Sequence, residues 1–316
     1  MKKAKELFDL AESILLDDSK VKKAKDFIDG RKRILTQYTG SGNISRPTSF
    51  TKGTLESGIY KIGSDMQGVF FERVSIKTDE LLEFKDKRLQ EILAEIEKFW
   101  GLGEKFKNYG FSWKRGVLLY GEPGTGKTCL LKQVMNKVVE QDDVAFIAKS
   151  PGTLVSGIKT FREVEPKRRV LAVLEDIDEL ARYNEHALLE LFDGENQEDG
   201  VLYLATTNYI DKLPPRMLRA GRFDRKIKVY NPPFEGRLAY FQHKLGTNES
   251  AGSVKKLAQQ TDGFSFSQLK ELVVSVFCLG NDLQEAIRRI KANLEEVSEG
   301  KKVSNLLNLL HEDVGD

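Results

Sequence analysis

Short runs of apolar residues recur along the middle of the chain, and polar turns and segments with helical spacing separate them. The runs predict five strands, which are Gly116–Tyr120, Val144–Ala148, Val170–Leu174, Val201–Ala205 and Arg225–Val229. Strands that are apolar throughout are buried on both faces. Their alternation with helices is typical of a parallel sheet that helices cover on both sides. The pattern therefore predicts an α/β fold.

Helical spacing of apolar residues predicts helices between these strands and beyond them. The expected helices are Asp86–Trp100, Cys129–Glu140, Gly157–Val164 and His186–Phe192. From Pro232 the pattern is wholly helical, so residues 232–316 are predicted to form a small all-helical domain. Within it, Ser265 and Gln268 have the spacing of a capping box, which predicts the start of a helix. One more amphipathic helix is expected after Lys301.

The N-terminal part has a different pattern and is predicted to be a separate α+β region. Charged helices are expected over residues 1–39, a loop over Thr39–Ser49, and strands over Ile59–Ile62 and Val69–Ile76. The chain is thus divided into three predicted domains, residues 1–76, 77–231 and 232–316.

The composition is that of a globular protein, since 40% of the 316 residues are hydrophobic and 31% are charged. A net charge of +2 excludes a strong overall attraction to nucleic acid but leaves a local basic patch open. Cys129 and Cys278 lie in apolar helical contexts and are predicted to be buried thiols in a reducing compartment. No apolar run reaches membrane-spanning length and no secretory segment follows the basic start, so we expect a cytoplasmic protein with no membrane partner.

The segment Gly121–Thr128 has the form of a phosphate-binding P-loop: a glycine, four residues, and then Gly-Lys-Thr. It lies between a predicted strand and a predicted helix, which is the context that the motif requires. Its glycines free backbone N–H groups to surround phosphates at a helix N-terminus. Lys127 is expected to meet the β- and γ-phosphates of ATP, and the Thr128 hydroxyl to bind Mg²⁺. The predicted nucleotide-binding residues are Glu122, Pro123, Gly124, Thr125, Gly126, Lys127, Thr128 and Cys129.

Polar side chains follow two of the predicted apolar strands, Val170–Leu174 and Val201–Ala205. Glu175 and Asp176 follow one strand, and Asn208 follows its neighbour. After a P-loop, one acid of such a pair holds Mg²⁺ through water and the other polarises the attacking water. We assign the metal to Glu175 and the water to Asp176, and the reverse assignment stays open. Asn208 can hold the water and sense the γ-phosphate, or it can only start an Asx turn.

A further segment, Leu218–Arg225, reads Leu-Arg-Ala-Gly-Arg-Phe-Asp-Arg and follows Thr207-Asn208. With the P-loop, the acid pair and Thr261–Ser265, it resembles the AAA family of the AAA+ ATPases over about residues 77–290. The chain is most similar to the branch containing the mitochondrial Rieske-protein translocase, without its membrane segment. The resemblance implies a parallel five-stranded P-loop sheet sandwiched by helices, followed by a small helical lid domain.

The resemblance also implies roles for single residues and for the assembly. Asn208 would be the γ-phosphate sensor, and Arg219 and Arg222 would be arginine fingers that reach the nucleotide of the adjacent subunit. A guanidinium on the developing γ-phosphate charge is worth about 10³- to 10⁵-fold in rate. Fingers supplied by a neighbour imply a homo-oligomeric ring, usually a hexamer. The N-terminal region would bind a protein client or adaptor.

The chain departs from the family pattern in several places. Its acid pair is Glu-Asp rather than Asp-Glu, and the shorter second acid is expected to set the water farther away and slow turnover. Ala220 replaces the usual proline. Phe266 and Ser267 stand where many AAA+ proteins have a basic sensor residue. The segment Ser150–Glu163 lacks the aromatic pore loop that grips a threaded polypeptide, so the sequence does not support threading.

Three functions fit the sequence. The first is an ATP-driven remodeller or disassembler of a protein client. The second is a nucleic-acid-associated ATPase, such as a loader or replication accessory, which the basic clusters Lys159–Arg169 and Arg288–Lys291 permit. These clusters have no interleaved aromatic residues on which bases could stack. The third is a slow switch or scaffold in which ATP controls assembly, and the inverted acid pair motivates it.

Overall fold

The computed structural model describes residues 37–39, 43–48, 53–75, 87–193 and 198–293. Its strands are β1 (Gln37–Thr39), β2 (Ile44–Thr48), β3 (Gly58–Asp65), β4 (Gly68–Val74), β5 (Lys114–Tyr120), β6 (Val144–Ile147), β7 (Val170–Leu174), β8 (Val201–Thr207) and β9 (Arg225–Lys228). They form one nine-stranded sheet in the order β1-β2-β4-β3-β6-β7-β8-β5-β9. The helix expected after Lys301, and the predicted helices before residue 37, lie outside the described residues.

The centre of the sheet is parallel, as the sequence predicted. Strands β6, β7, β8, β5 and β9 pair in parallel in that order. In their register Tyr120 lies opposite Thr207, and Leu174 lies opposite Ala205. The carboxyl ends of β5, β7 and β8 therefore meet at one edge of the sheet. This edge carries the P-loop, the acid pair and Asn208.

The helices of this part are α1 (Lys87–Trp100), α2 (Gly103–Asn108), α3 (Lys127–Val139), α4 (Pro151–Val164) and α5 (Ile177–Asp193). Three of them begin earlier than predicted, α3 by two residues and α4 and α5 by more than one helical turn. In α4 the Ser150 side chain accepts the N–H of Thr153 and caps the helix ahead of Pro151. In α5 the residues before and after a kink at Asn184 (φ −139°, ψ 39°) are both helical. Among the described residues, no helix is long and apolar enough to cross a membrane.

The strands that precede residue 76 belong to the same sheet. β3 pairs in parallel with β6 and antiparallel with β4. β2 lies in the segment Thr39–Ser49, so the prediction of a loop there was wrong. The strand forms because Ile44 and Ser45 pair with β4, a contact between distant segments. β1, at the end of the predicted charged helices, pairs with β2. A boundary at residue 76 therefore does not separate these strands from the central sheet, and the domain division otherwise stays a prediction.

Apolar side chains of the central strands enter two different layers of the core. On one side of the sheet, Leu174 packs in a cluster with Phe146 and Phe161. On the other side, Val173 packs in a cluster that contains Trp100. All five side chains are buried. Burial on both faces contributes about 25 cal/mol for each Å² of apolar surface, which explains why these strands are apolar throughout.

The predicted helical domain is present after the sheet. Its helices are α6 (Phe234–Leu245), α7 (Ala251–Gln260), α8 (Phe266–Val273) and α9 (residues 283–293). They share a core of buried side chains that includes Phe241, Leu257, Leu269 and Ile287. The predicted capping box is confirmed, since Ser265 Oγ accepts the N–H of Gln268 and Gln268 Oε1 accepts the N–H of Ser265 at 2.7 Å. The predicted fold class is confirmed.

The prediction that both cysteines are buried was wrong. Cys129 is partly exposed and Cys278 is exposed, and both are free thiols. Cys278 lies in the π-helical turn Val274–Cys278 that continues α8, where the chain leaves the core of the helical domain. Phe277 and Leu279 on either side of it are also exposed. The apolar spacing that suggested burial thus continues past the end of the packed helix.

Candidate nucleotide-binding site

The P-loop connects the end of β5 to the start of α3. Gly124 and Gly126 have φ angles of +80° and +97°, a left-handed conformation that favours glycine. The Thr125 hydroxyl is buried and donates to the carbonyl oxygen of Glu122 at 2.9 Å, which closes the loop on itself. A loop of this shape at a helix N-terminus is suited to an anion, because backbone N–H groups and the helix dipole both favour negative charge.

Lys127 is held inside this loop. Its Nζ donates to the carbonyl oxygens of Gly121 and Glu122, both at 2.8 Å. Burial lowers the pKa of Lys127, and the neighbouring carboxylates of Asp176, Asp178 and Glu122 oppose that shift. The ammonium group is thus positioned in a partly desolvated place, where its attraction to a phosphate is stronger than in water.

A cavity of about 440 Å³ lies against the P-loop, the ends of β7 and β8, and the helical domain. The predicted residues that line it are Pro123, Gly124, Gly126, Lys127, Thr128, Cys129, Asp176 and Asn208. The lining residues to which the sequence assigned no role there are Thr206, Tyr240, Lys244, Phe266, Ser267 and Lys270. The structure therefore brings the P-loop, one acid of the pair and the amide together in a single cavity.

Asp176 and Asn208 contact each other beside the P-loop. Asn208 Nδ2 donates to Asp176 Oδ1 at 3.4 Å, and the backbone N–H of Asp176 donates to Thr206 Oγ1 at 3.2 Å. Asp176 has a φ of +47°, which is uncommon for a residue other than glycine. Such strained residues cluster at functional sites, where neighbouring contacts hold them in place. These contacts set Asp176 where it lines the cavity.

Glu175 has a different environment. In the described part of the chain it is partly buried and is not among the residues that line the cavity. Burial raises the pKa of the Glu175 carboxyl, Asp176 raises it further, and Lys132 opposes both. Thr128 and Asp176 bring side-chain oxygens to the cavity, and oxygen is the ligand that Mg²⁺ prefers. Mg²⁺ keeps several waters, so the carboxylate of Glu175, next to Asp176 in the chain, still fits a contact through water.

Thr207 and Asp178 hold Asn208 in place, and the sequence analysis did not identify them. Thr207 is fully buried, its hydroxyl donates to Asp178 Oδ1 at 2.6 Å, and it accepts the N–H of Tyr209 at 3.0 Å. These bonds fix the backbone on both sides of Asn208. The available signal was the pair Thr206-Thr207, because two polar residues that continue an apolar strand need buried hydrogen-bond partners.

The two predicted arginine fingers lie in the loop between β8 and β9, and neither lines the cavity of its own chain. Arg222 is fixed within the chain, since its Nε donates to Asp193 Oδ2 at 2.7 Å and its guanidinium also contacts the carbonyl oxygen of Arg216. Arg219 is exposed, and its side chain has no hydrogen bond or ion pair with any other described residue. Among the described residues, the geometry thus distinguishes a bonded arginine, Arg222, from an exposed one, Arg219.

Gly116 of β5 lies against the loop between β8 and β9, which contains Arg219 and Arg222. A Cβ at this position would lie 1.8 Å from the carbonyl oxygen of Arg222. We expect Gly116→Ala to displace the loop, to lower the free energy of unfolding by about 1–3 kcal/mol, and to lower ATP hydrolysis. Thermal unfolding and hydrolysis rates measure both effects. Gly152→Ala is the control, since nothing lies within 4 Å of a Cβ there. Equal stability and equal rates in the two variants would contradict the expectation.

Much of the basic cluster Lys159–Arg169 is engaged inside the chain. Arg162 is buried and donates to backbone carbonyl oxygens at the start of β8. Arg168 forms an ion pair with Glu165, and Arg169 forms one with Asp143. These arginines form contacts within the chain. The basic cluster Lys159–Arg169, which permitted a nucleic-acid function, therefore supports that function less.

The fold and the cavity define a P-loop nucleotide-binding domain with a helical lid. Residues 117–231 match the family described as "ATPase family associated with various cellular activities (AAA)". The chain is 33% identical over 241 residues to the proteasome-activating nucleotidase of Sulfurisphaera tokodaii. The aligned region covers 66% of this chain and 61% of that protein. It is 30% identical over 292 residues to the ATP-dependent zinc metalloprotease FtsH 3 of Symbiobacterium thermophilum. That alignment covers 82% of this chain and 44% of the metalloprotease. Residues 117–231 are therefore an AAA family domain, which confirms the resemblance inferred from the motifs.

The chain spans about half the length of the curated relatives that it matches. It covers 44% of the metalloprotease and 61% of the nucleotidase from Sulfurisphaera, and 56% of the proteasome-activating nucleotidase of Methanopyrus kandleri, to which it is 32% identical over 248 residues. The shared part includes the nucleotide-binding domain. The activities of the whole relatives are therefore properties of those proteins.

Proposed function

We propose that this chain is an ATPase that binds ATP with Mg²⁺ at the P-loop and hydrolyses it to ADP and phosphate. One observation carries the proposal: Lys127, Asp176 and Asn208, which follow three different strands, lie around the same cavity. Phosphoryl transfer depends on positioning the phosphates and the water and on stabilising charge, and this convergence of cation, acid and amide meets both needs.

The role of each residue follows from its position. The P-loop backbone and Lys127 hold the β- and γ-phosphates. Mg²⁺, when bound, neutralises phosphate charge, and the Thr128 hydroxyl with Glu175 through water would hold it. Asp176 polarises the attacking water and accepts its proton, and Asn208, which donates to Asp176, positions that water. The hydrogen bonds with Thr206 and Asn208 hold the strained backbone of Asp176, and so the acid, in place before substrate binds.

The proposed assembly is a homo-oligomeric ring, usually a hexamer in this family, in which Arg219 of one subunit reaches the nucleotide of the next. Arg219 is exposed and does not line the cavity of its own chain, and both observations support this role. An arginine supplied by a neighbour makes hydrolysis depend on subunit contact.

The proposed client is another protein, which the ring remodels or disassembles. The names of two relatives, a proteasome-activating nucleotidase and an ATP-dependent protease, connect ATPases of this kind with the handling of proteins. Residues 1–76 are proposed to bind the client or an adaptor. The segment Ser150–Glu163, where a threading motor would carry an aromatic pore loop, lies largely in α4 with its aromatic residue Phe161 buried. This favours disassembly without threading. A cytoplasmic location stays a prediction.

The slow switch or scaffold is the second candidate, and the inverted acid pair supports it. In a switch, ATP would control assembly and turn over rarely. The nucleic-acid-associated ATPase has less support, because Arg162, Arg168 and Arg169 are engaged within the chain.

Lys127→Ala tests the proposed ATP site directly. We expect ATP binding to weaken by about a hundredfold or more, because a charge-assisted hydrogen bond to each of two phosphates is lost. Calorimetric titration with ATP and Mg²⁺ measures the affinity. Lys137→Ala is the control, since this exposed lysine on the same helix pairs with Glu140 away from the cavity. Unchanged affinity in Lys127→Ala would contradict the proposal.

A further inference from the structure

The helical domain contributes two lysines to the nucleotide cavity, at positions that the sequence motifs do not mark. Lys244 of α6 and Lys270 of α8 line it, together with Tyr240 and Phe266. On each helix the aromatic residue and the lysine are four residues apart. Residues with this spacing share one face of a helix. Both helices therefore present an aromatic ring and a lysine to the same cavity.

The start of α8 rests on the P-loop. The backbone N–H of Ser267 donates to the carbonyl oxygen of Gly124 at 3.4 Å. A Cβ on Gly124 would lie 2.7 Å from Ser267 Oγ, and one on Gly126 would lie 3.0 Å from the ring of Phe266. These close approaches hold the helix against the loop that surrounds the phosphates. Lys270 lies one helical turn beyond this contact, or about 5.4 Å along the axis.

The two aromatic rings hold the two lysine-bearing helices together. The centroids of Tyr240 and Phe266 are 6.0 Å apart, and the rings are tilted by 50°. Such a pair is worth about 0.5–1.5 kcal/mol beyond the apolar area that it buries. It fixes α6 relative to α8, and it thereby fixes where Lys244 and Lys270 enter the cavity.

The charge of the cavity identifies the ligand chemistry of these lysines. The charged residues of the lining are Lys127, Lys244, Lys270 and Asp176, so the lining has an excess of positive charge. A nucleoside triphosphate with its Mg²⁺ is a net anion and complements this excess. Lys244 and Lys270 bring this positive charge from the wall that the helical domain forms.

We propose that Lys244 and Lys270 bind the phosphate groups of the nucleotide from the side of the helical domain. The inference rests on the proposed ATP site and adds a second set of phosphate ligands to it. Lys127 binds phosphate from the large domain, and the two lid lysines bind it from the opposite wall. The helical domain then responds to the number of phosphates on the nucleotide, because each phosphate adds negative charge between the two walls.

Affinities for ATP, ADP and AMP test this reading in the full chain. The variants are Lys244→Met, Lys270→Met and the double variant, because methionine keeps most of the aliphatic side chain and removes only the charge. We expect each single variant to weaken ATP binding about tenfold, with a smaller loss for ADP and no loss for AMP. Lys256→Met is the matched control, since this exposed lysine of α7 does not line the cavity. Lys270→Arg should restore ATP affinity.

Each result bears on the inference separately from the proposed function. Equal losses for ATP, ADP and AMP would overturn it, because they would place the lysines at the base or ribose. Unchanged ATP affinity in the double variant would also overturn it, while a loss in Lys127→Ala would leave the ATPase proposal standing. A wild-type chain that binds no nucleotide would overturn both. Thermal unfolding of each variant shows whether an affinity loss reflects a lost fold, and rescue by arginine identifies the charge as the cause.

Discussion

Replacing Arg219 with alanine is expected to lower the rate of ATP hydrolysis by about 10³- to 10⁵-fold and to leave ATP bound. The guanidinium stabilises charge that develops on the γ-phosphate only in the transition state, so its loss changes kcat rather than affinity. Arg219 does not line the cavity of its own chain, which is why binding to that chain should persist. Hydrolysis rates and calorimetric titration with ATP give the two quantities. Arg182→Ala, an exposed arginine on α5, is the control.

Mixing two inactive variants distinguishes a finger that acts between subunits from one that acts within a subunit. Lys127→Ala lacks the phosphate-binding lysine, and Arg219→Ala lacks the finger. In mixed rings, an Arg219→Ala subunit keeps an intact P-loop and can receive the finger of a Lys127→Ala neighbour. We expect part of the hydrolysis rate to return on mixing, and the wild-type rate per subunit to rise steeply with protein concentration. No recovery, with a flat and slow wild-type rate, would make the switch or scaffold the preferred function.

Arg222 provides an internal comparison for this prediction. Its guanidinium is bonded to Asp193 and to the Arg216 carbonyl oxygen, so reaching a neighbour would first break these contacts. Loss of ATP binding in Arg219→Ala would place that arginine outside the finger role. A normal rate in Arg219→Ala, with a large loss in Arg222→Ala, would move the finger to Arg222.

Asp176→Asn is expected to bind ATP and to hydrolyse it about 10²- to 10⁴-fold more slowly. Asparagine keeps the shape of the side chain but cannot accept the proton of the attacking water. Asn208 donates to Asp176 Oδ1, an oxygen that the amide oxygen of asparagine can replace, so the site should keep its geometry. The chain should therefore accumulate bound ATP, which chromatography of nucleotide extracted from the purified variant would reveal.

Glu175→Gln is the matched variant for this second prediction. Asp176 lines the cavity and Glu175 does not, so the structure favours Asp176 as the acid that polarises water. If Glu175 holds the metal, Glu175→Gln should impair the water-polarising step less than Asp176→Asn does. It should also need a higher Mg²⁺ concentration for hydrolysis. Trapped ATP in Glu175→Gln, with normal turnover in Asp176→Asn, would reverse the two assignments.

Local signals identified the elements whose formation depends on residues close together in sequence. The P-loop needs glycine where φ is positive, and Gly124 and Gly126 have that conformation. The capping box at Ser265 needs only Gln268, three residues on, and both of its hydrogen bonds are present. The strand Val170–Leu174 has the predicted bounds because five consecutive apolar residues can be buried only by neighbours on both faces.

Features whose structure depends on distant segments could not be predicted from the local sequence pattern. The segment Thr39–Ser49 contains glycine, serine and proline and was predicted to be a loop, yet part of it becomes β2 because β4 supplies hydrogen-bond partners. The apolar spacing around Cys278 indicated burial, but this residue is exposed and is not part of the packed core of the helical domain. The turn Val274–Cys278 lies between α8 and α9, and the core resumes after it at Ala286. In both cases the outcome depends on which surface another part of the chain covers.

The sequence by itself determined the P-loop, the acid pair and the order of the central strands and helices, because each depends on residue type at short spacing. Only the tertiary structure decided which residues share the cavity. It brought Asp176 rather than Glu175 to the lining, bonded Arg222 and left Arg219 exposed, and placed Lys270 beside the P-loop. The physical reason is that a cavity forms where separate elements pack, and the charge and exposure of its walls depend on contacts between segments far apart in the chain.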